Sequence, residues 1–283
     1  MELATLLVSC KDRRGIVAAL AQLLYGHGAN ILDSDQHSDP VLQQFFQRIR
    51  VDLGELMTDR LTLERAIAEV AERFGMSYRL AFQRTPKRMA LFVSKFDHCL
   101  YDLLLRHRAG EFSCEIPLVI SNHPNLERVA NEFGVKFVLI ENTPETRASA
   151  EARAQEILAE HQIDLVVLAR YMQIVSEQFV AHWEHRVINI HHSFLPAFIG
   201  GRPYHQAFER GVKLIGATAH YATAVLDQGP IIEQDVVRAS HKDSVEDLVR
   251  KGRDLEKVVL ARAVRWHLDD RVLVYGNKTV VFD

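Results

Sequence analysis

Apolar and polar positions in the first 83 residues follow two different periods. Runs that repeat every two residues predict strands, and runs that repeat every three or four predict helices. The predicted strands are Leu3–Ser9, Ala29–His37, Leu42–Val51 and Met76–Phe82, and the predicted helices are Ile16–Tyr25 and Leu61–Phe74. The resulting order, β-α-β-β-α-β, predicts a helix pair packed on an antiparallel sheet.

A polar stretch then interrupts the pattern. Residues 84–88 read RTPKR, which is charged and contains proline. Such a stretch is typical of an interdomain linker. We therefore predict one domain at residues 1–83 and a second at residues 89–283.

Short apolar runs alternate with helical segments in the second domain. The predicted strands are Met89–Ser94, Ile116–Ser121, Lys136–Leu139, Asp164–Ala169 and Val187–Ile190, and the clearest helices are Asp97–Arg108, Asn125–Phe133 and Glu145–His161. A continuous apolar run such as DLVVLA is typical of a strand that helices cover on both faces. The alternation predicts an α/β fold with a doubly wound, mostly parallel sheet.

The C-terminal third carries longer elements. Strand-like runs at Leu214–Ala224 and Pro230–Val237 precede a long helix, for which Ser244 and Asp247 form a capping-box pattern. Residues 271–282 are typical of a β-hairpin that turns at Gly276 and Asn277.

Composition narrows the functional classes. With 34 basic and 37 acidic residues and a net charge of −3, the chain offers no electrostatic reason to bind nucleic acid or an anionic membrane. Its three cysteines are widely spaced without a CxxC motif, which favours a reducing compartment over a disulfide framework. We expect a soluble, cytoplasmic protein.

Candidate chemistry begins where the strand Val187–Ile190 runs into a loop rich in proline and glycine. Asn189 and His191 are two residues apart, so an extended backbone directs both side chains to the same side. Downstream, His220 lies on a strand and Asp227 on the turn before the next strand. A metal site is a weaker hypothesis, because His191, His205 and His220 lack the helical spacing and the companion motifs of common zinc sites.

The ordered motifs NIHHSFLPAFIG, GATAHY and LDQGPII resemble the folate-dependent formyltransferases. The resemblance runs from about Met89 to the C-terminus and implies that Asn189, His191 and Asp227 are catalytic. It further implies a loop on the pterin side of the substrate in the segment LARYMQIV, with Tyr171, Met172 and Ile174 binding the substrate. His220 and a substrate-covering loop, represented by Ser193 and Gly200, complete the implied substrate site.

The first domain resembles the ACT domain, a small ligand-sensing ferredoxin-like module. The supporting segment is CKDRRGIVAALAQLLYGHGANI, where Asp12 and Gly15 match the turn before the first helix. The resemblance implies an effector such as methionine or glycine near Asp12, Gly15, Gly28 and Asn30, and a homo-oligomer. A module that only dimerises the enzyme is an equally weighted alternative.

An ACT module joined to a formyltransferase-like domain resembles the arrangement of the formyltetrahydrofolate deformylases, and this resemblance implies that water accepts the formyl group. The segment SKFDHCLYDLL after the first strand of the second domain lacks the glycines of a phosphate-binding loop, and Asp97 adds negative charge. This argues against a phosphorylated acceptor. We therefore expect hydrolysis of 10-formyltetrahydrofolate to formate and tetrahydrofolate without a cofactor, which would balance one-carbon pools and supply formate for purine biosynthesis.

Two other functions stay open at this point. One is a formyltransferase with an unidentified amine acceptor, and the other is a non-catalytic regulator that binds folate or an amino acid. Which of His191 and Asp227 is the general base is also open, since coupled groups share their titration.

Overall fold

The chain folds into two compact units, which a computed structural model describes for residues 2–83, 86–196 and 203–283. The first unit comprises Met1–Pro86, Asp270–Leu273 and Val280–Asp283, and the second comprises Lys87–Asp269 and Val274–Thr279. The sequence pattern instead placed all C-terminal residues in the second domain. The ends of the C-terminal hairpin join the first unit because Asp270 accepts hydrogen bonds from Arg48, through its carbonyl oxygen, and from Arg79, through its carboxylate.

The first unit has the predicted order of elements. They are β1 (Leu3–Lys11), α1 (Ile16–Gly26), β2 (Asn30–Asp39), β3 (Gln44–Asp52), α2 (Arg60–Phe74) and β4 (Ser77–Phe82). The strands form an antiparallel sheet in the order β2-β3-β1-β4. The predicted ferredoxin-like fold is confirmed.

One face of each helix closes the core of this unit. In α1 the buried residues Ile16, Leu20 and Leu24 repeat every four positions, and in α2 Leu63 and Ile67 do the same. This spacing places apolar side chains in one stripe, so each helix buries a single face. The stripes pack with apolar residues of the sheet into one hydrophobic core.

The second unit begins at Lys87, inside the stretch predicted as a linker. Its strands are β5 (Lys87–Val93), β6 (Cys114–Ser121), β7 (Lys136–Leu139), β8 (Leu165–Leu168), β9 (Val187–His191), β10 (Leu214–Tyr221) and β11 (Ile231–Arg238). Its helices are α3 (His98–Arg108), α4 (Glu127–Glu132), α5 (Arg147–Glu160), α6 (Glu177–His182), α7 (Pro203–Arg210) and α8 (Val245–Leu268). A short 3₁₀ turn at Pro124–Leu126 precedes α4, and β12 (Val272–Tyr275) pairs with β13 (Lys278–Val281) in the terminal hairpin.

The sheet of the second unit has the order β11-β10-β9-β8-β5-β6-β7. Strands β5 to β9 pair in parallel, whereas β10 runs antiparallel to both of its neighbours. From β5 the chain first builds outward through β6 and β7 and then returns to the other side of β5 with β8. The strand order therefore reverses beside β5. In open α/β sheets, ligands bind at such a topological switch point, beyond the carboxyl ends of the strands.

Helices cover both faces of this sheet. Ala154, Ile157 and Leu158 of α5 and Phe179 of α6 pack with Phe92 of β5 in one core cluster. Helix α8 contacts α3 and strands β9 to β11. The predicted doubly wound, mostly parallel α/β fold is confirmed.

Two predictions made from short sequence patterns near the C-terminus are also confirmed. Ser244 and Asp247 form a capping box at the start of α8, and the terminal hairpin turns at Gly276 and Asn277. The short helices α6 and α7 did not appear in the sequence pattern. Within the described residues, no helix has the length and apolar content needed to cross a membrane.

Candidate active site

The polar side chains predicted to carry chemistry meet at the end of β9. Asn189 and His191 lie on this strand, and register pairs Asn189 with His220 on the neighbouring β10. Asn189 is half-buried, whereas His191 and His220 are buried. Side chains two residues apart share one face of a strand, and a directly paired residue on the next strand lies beside them.

Asp227 reaches this cluster from the loop between β10 and β11. Its Oδ2 lies 3.2 Å from His191 Nδ1, and its Oδ1 lies 3.6 Å from His220 Nε2. Its backbone φ of 56° is in the left-handed region, a strain on the order of 1 kcal/mol that is often found at active sites. Gly229 lets the same loop pack closely, because a Cβ there would overlap the carbonyl group of Tyr221.

The two imidazoles keep Asp227 ionised. Burial alone would raise the pKa of its carboxyl group, but the hydrogen bond from His191 and the electrostatic influence of the two nearby imidazole rings outweigh burial. The pKa of Asp227 therefore lies well below its usual range. A carboxylate that keeps its charge can stabilise a protonated imidazole beside it.

Hydrogen bonds orient the two histidine rings. The Asp227 carboxylate and the Tyr221 carbonyl oxygen can only accept, so His191 Nδ1 donates to the first and His220 Nδ1 donates to the second at 2.9 Å. His220 Nε2 then accepts from Asn189 Nδ2 at 3.2 Å. Within the described residues, His191 Nε2 is buried without a hydrogen-bond partner, so this nitrogen can exchange a proton with a bound molecule.

A cavity of about 660 Å³ lies over these groups, within the size range of small-molecule sites. Asn189, His191, His220 and Asp227 all line it. The structure thus brings the three predicted catalytic residues and His220 to one site at the sheet's switch point.

Tyr171, Met172 and Ile174, which were predicted to bind the substrate, line the same cavity. They lie on the irregular segment between β8 and α6, where the Met172 N–H donates to the buried Ser94 Oγ at 2.9 Å. Met172 and Ile174 are more than half exposed, so this wall offers apolar surface to a ligand.

The predicted covering loop is only partly within the described residues. Ser193 is buried, its carbonyl oxygen accepts from Thr218 Oγ1, and it is not among the described residues that line the cavity. Gly200 lies outside the described residues.

The four residues predicted to bind an effector lie at the two ends of α1. Asp12 and Gly15 precede the helix, and Gly28 and Asn30 follow it. Eleven helical residues separate the two pairs by about 16 Å, so one copy of the unit does not bring them into a single pocket.

Several cavity residues were not identified from the sequence. They are Arg170, His192, Tyr204 and Glu256, together with His98. Glu256 lies in a helix rich in charged residues, so its sequence context resembles a solvent-exposed face. The one sequence feature that could have indicated a close contact at this helix is Gly252 in its interior. Among the described residues, His98, Cys99 and Glu256 place potential metal ligands within 4.8 Å of one another, but His98 and Arg170 already contact the Glu256 carboxylate.

Comparisons with known proteins match both units. The family model described as "Formyl transferase" matches residues 87–264, and the model described as "ACT domain" matches residues 4–70. A formyltetrahydrofolate deformylase from Synechocystis is 55% identical over 99% of this chain and 98% of its own length. One from Escherichia coli is 41% identical over 96% of this chain and 95% of its own length.

Solved structures agree with these matches. The crystal structure of a formyltetrahydrofolate deformylase from Pseudomonas syringae has a TM-score of 0.96 and 48% identity, covering 100% of this chain and 95% of that chain. A glycinamide ribonucleotide transformylase from Symbiobacterium toebii has a TM-score of 0.66 and 34% identity, covering 71% of this chain and 97% of that one.

Proposed function

This chain belongs to the formyltetrahydrofolate deformylases, and from that premise we propose that it hydrolyses 10-formyltetrahydrofolate to formate and tetrahydrofolate. One observation carries the proposal: Asn189, His191 and Asp227 converge in a cavity large enough for a folate. In the reaction a water oxygen bonds to the formyl carbon and the bond from that carbon to N10 breaks. One proton goes to N10, and the other is released as formic acid ionises to formate.

Asn189 is placed to stabilise the transition state. Attack by water develops negative charge on the formyl oxygen, and an amide N–H that already points at this place lowers the barrier. One N–H of Asn189 donates to His220 Nε2, which holds the amide in place and leaves the second N–H for the formyl oxygen.

His191 and Asp227 form the proton-transfer pair. Asp227 fixes the ring through Nδ1, and the buried Nε2 has no hydrogen-bond partner among the described residues. Nε2 can take the proton from the attacking water and pass it to N10, which as an arylamine needs a proton to leave. In this mechanism His191 is the base and Asp227 stabilises its charged form.

The exposed apolar segment after β8 supplies the surface for the pterin side of the substrate. Tyr171, Met172 and Ile174 offer aromatic and aliphatic contacts there, and the Met172 N–H bond to Ser94 ties the backbone of the segment to the end of β5. We assign no cofactor to the reaction, because protonation and hydrogen bonding supply what hydrolysis needs.

The segment after β5 supports water as the acceptor. Phe96 and His98 line the cavity at the place where a phosphate-binding loop would need glycines and free backbone N–H groups. Large side chains there leave little room for close approach of a phosphate. A phosphorylated acceptor is therefore disfavoured.

The ACT unit supports a small-molecule effector as a further part of the proposal. An amino acid such as methionine or glycine would bind near Asp12, Gly15, Gly28 and Asn30. Since these residues lie at opposite ends of α1, an effector that contacts both pairs needs a second copy of the chain, which favours a homo-oligomer. We retain the cytoplasm as the proposed location and a supply of formate to purine biosynthesis as the proposed role.

Formate release from 10-formyltetrahydrofolate, without any added amine, tests the proposed function. The purified full chain should release formate in step with tetrahydrofolate. Asn189→Ala and His191→Ala should fold and lose about 100-fold or more in turnover. Tetrahydrofolate formation that requires an added amine would contradict hydrolysis.

A further inference from the structure

A second group of buried polar side chains lines the cavity away from Asn189 and Asp227. It comprises His98, Arg170, Tyr204 and Glu256, and we call it the Glu256 cluster. Glu256 Oε1 accepts from the Tyr204 hydroxyl at 2.8 Å, and Oε2 lies 2.8 Å from His98 Nε2 and 3.4 Å from Arg170 Nε. Both carboxylate oxygens are thus occupied by the protein's own side chains.

Helix α8 has a glycine at the place where the Tyr204 ring packs against it. Gly252 lies one turn before Glu256 in α8, and a Cβ at Gly252 would overlap the phenol ring and hydroxyl of Tyr204. Glycine in a helix interior costs roughly 1 kcal/mol relative to alanine. Here it allows the ring to lie directly against the helix and its hydroxyl to reach Glu256.

Two contacts between tilted rings connect the cluster to the catalytic histidine. Tyr204 packs against His192 with ring centroids 6.1 Å apart, and His192 packs against His191 at 5.1 Å. Burial, aided by the charge of Arg170, lowers the pKa of His192 to about 4, so this ring is neutral near pH 7. A neutral imidazole ring therefore contacts both His191 and the Tyr204 ring.

We propose that the Glu256 cluster determines the acceptor, because it holds the Tyr204 ring where an amine would have to stand to reach the formyl carbon beside His191. This inference rests on the proposed function. Water is small enough to reach the carbon past the rings, and an organic amine is not. The cluster is a positioning device: Glu256 and Gly252 hold Tyr204, and Tyr204 fills the space.

Removing the ring should open a competing reaction. An amine nitrogen would bond to the formyl carbon, the bond from that carbon to N10 would break, and the proton lost by the amine would pass to N10. The products would be a formamide and tetrahydrofolate, and no oxidant or further reactant is needed. Water and the amine would then compete for the same substrate.

The test compares wild type, Tyr204→Ala and Tyr204→Phe, all as full chains, with 10-formyltetrahydrofolate and millimolar glycinamide. Formate is measured enzymatically and N-formylglycinamide by mass spectrometry. Tyr204→Ala should raise the ratio of formamide to formate by about tenfold or more, the scale on which a filled pocket discriminates between ligands. Tyr204→Phe separates the two parts of the proposal: it retains the ring but loses the hydroxyl that Glu256 holds, so its ratio of formamide to formate should rise above wild type by less than that of Tyr204→Ala.

An unchanged product ratio in a folded Tyr204→Ala variant would overturn the proposal, and so would loss of both products, since the ring would then serve catalysis itself. If Tyr204→Ala does not fold, Tyr204→Leu replaces it with the same two outcomes. Wild type that forms no formate contradicts the proposed function instead, so the two failures are distinguishable.

Discussion

The variant Gly252→Ala tests how tightly the wall of the cavity is packed. Helix propensity alone predicts that alanine stabilises α8 by about 1 kcal/mol. The structure predicts the opposite sign, because the new Cβ would overlap the Tyr204 ring, with even its Cε1 atom only 2.5 Å away. The ring must therefore move, and its hydroxyl must leave Glu256.

The expected magnitude follows from three contributions. Overpacking a buried site costs about 1–3 kcal/mol, and losing a hydrogen bond to a charged group costs about 1.5–3 kcal/mol. The gain in helix propensity offsets about 1 kcal/mol of this. We expect Gly252→Ala to lower the free energy of unfolding by about 3 kcal/mol.

Urea unfolding followed by tryptophan fluorescence measures this effect in the second unit, which contains both tryptophans, Trp183 and Trp266. In a Tyr204→Ala background the methyl group has room, so adding Gly252→Ala should cost nothing or stabilise slightly. The same penalty in both backgrounds, or a Gly252→Ala variant as stable as wild type, would refute this reasoning.

Other sites give further predictions. The pKa of Asp227 is lowered in the folded state, so its ionised carboxylate stabilises the fold fully above the unfolded pKa of about 4. This contribution to the free energy of unfolding is lost as the pH falls below that value. Urea unfolding of Asp227→Asn should therefore depend less on pH in this range than that of wild type. Leu63→Ala, at a fully buried position, should cost the first unit about 2–5 kcal/mol, measured by amide exchange of its strands. Ser244→Ala should lower the free energy of unfolding by about 1 kcal/mol in thermal unfolding, because the Asp247 N–H loses its acceptor. No loss of stability would show that water replaces the lost hydrogen bond.

Much of the fold was predictable because its signals are local. The periods of α1, α2 and β8 and the capping box at Ser244 depend on residues close in sequence. Sequence spacing also predicted that Asn189 and His191 share a face of a strand. Their convergence with Asp227 was predicted only from the family resemblance, since a contact such as that between His191 and Asp227, 36 positions apart, leaves no local pattern.

The rest depended on packing that the sequence does not express locally. Helix α7 is only eight residues long, and the sequence before it is rich in glycine and proline. From the sequence, Glu256 resembles the other surface charges of α8. In the structure it is only 1% exposed, because three side chains from outside this helix surround it. The Asp270 contacts that draw the C-terminal residues into the first unit join positions about 190 to 220 apart.

Formate release by Asp227→Asn tests the central claim most directly. This change keeps the shape of the side chain but removes the charge that holds His191, so turnover should fall about 100-fold or more at pH 7. Asp254→Asn is the matched control, because Asp254 is two-thirds exposed on α8 and is not among the described residues lining the cavity; its turnover should stay near wild type. A folded Asp227→Asn variant that releases formate at the wild-type rate would contradict the account.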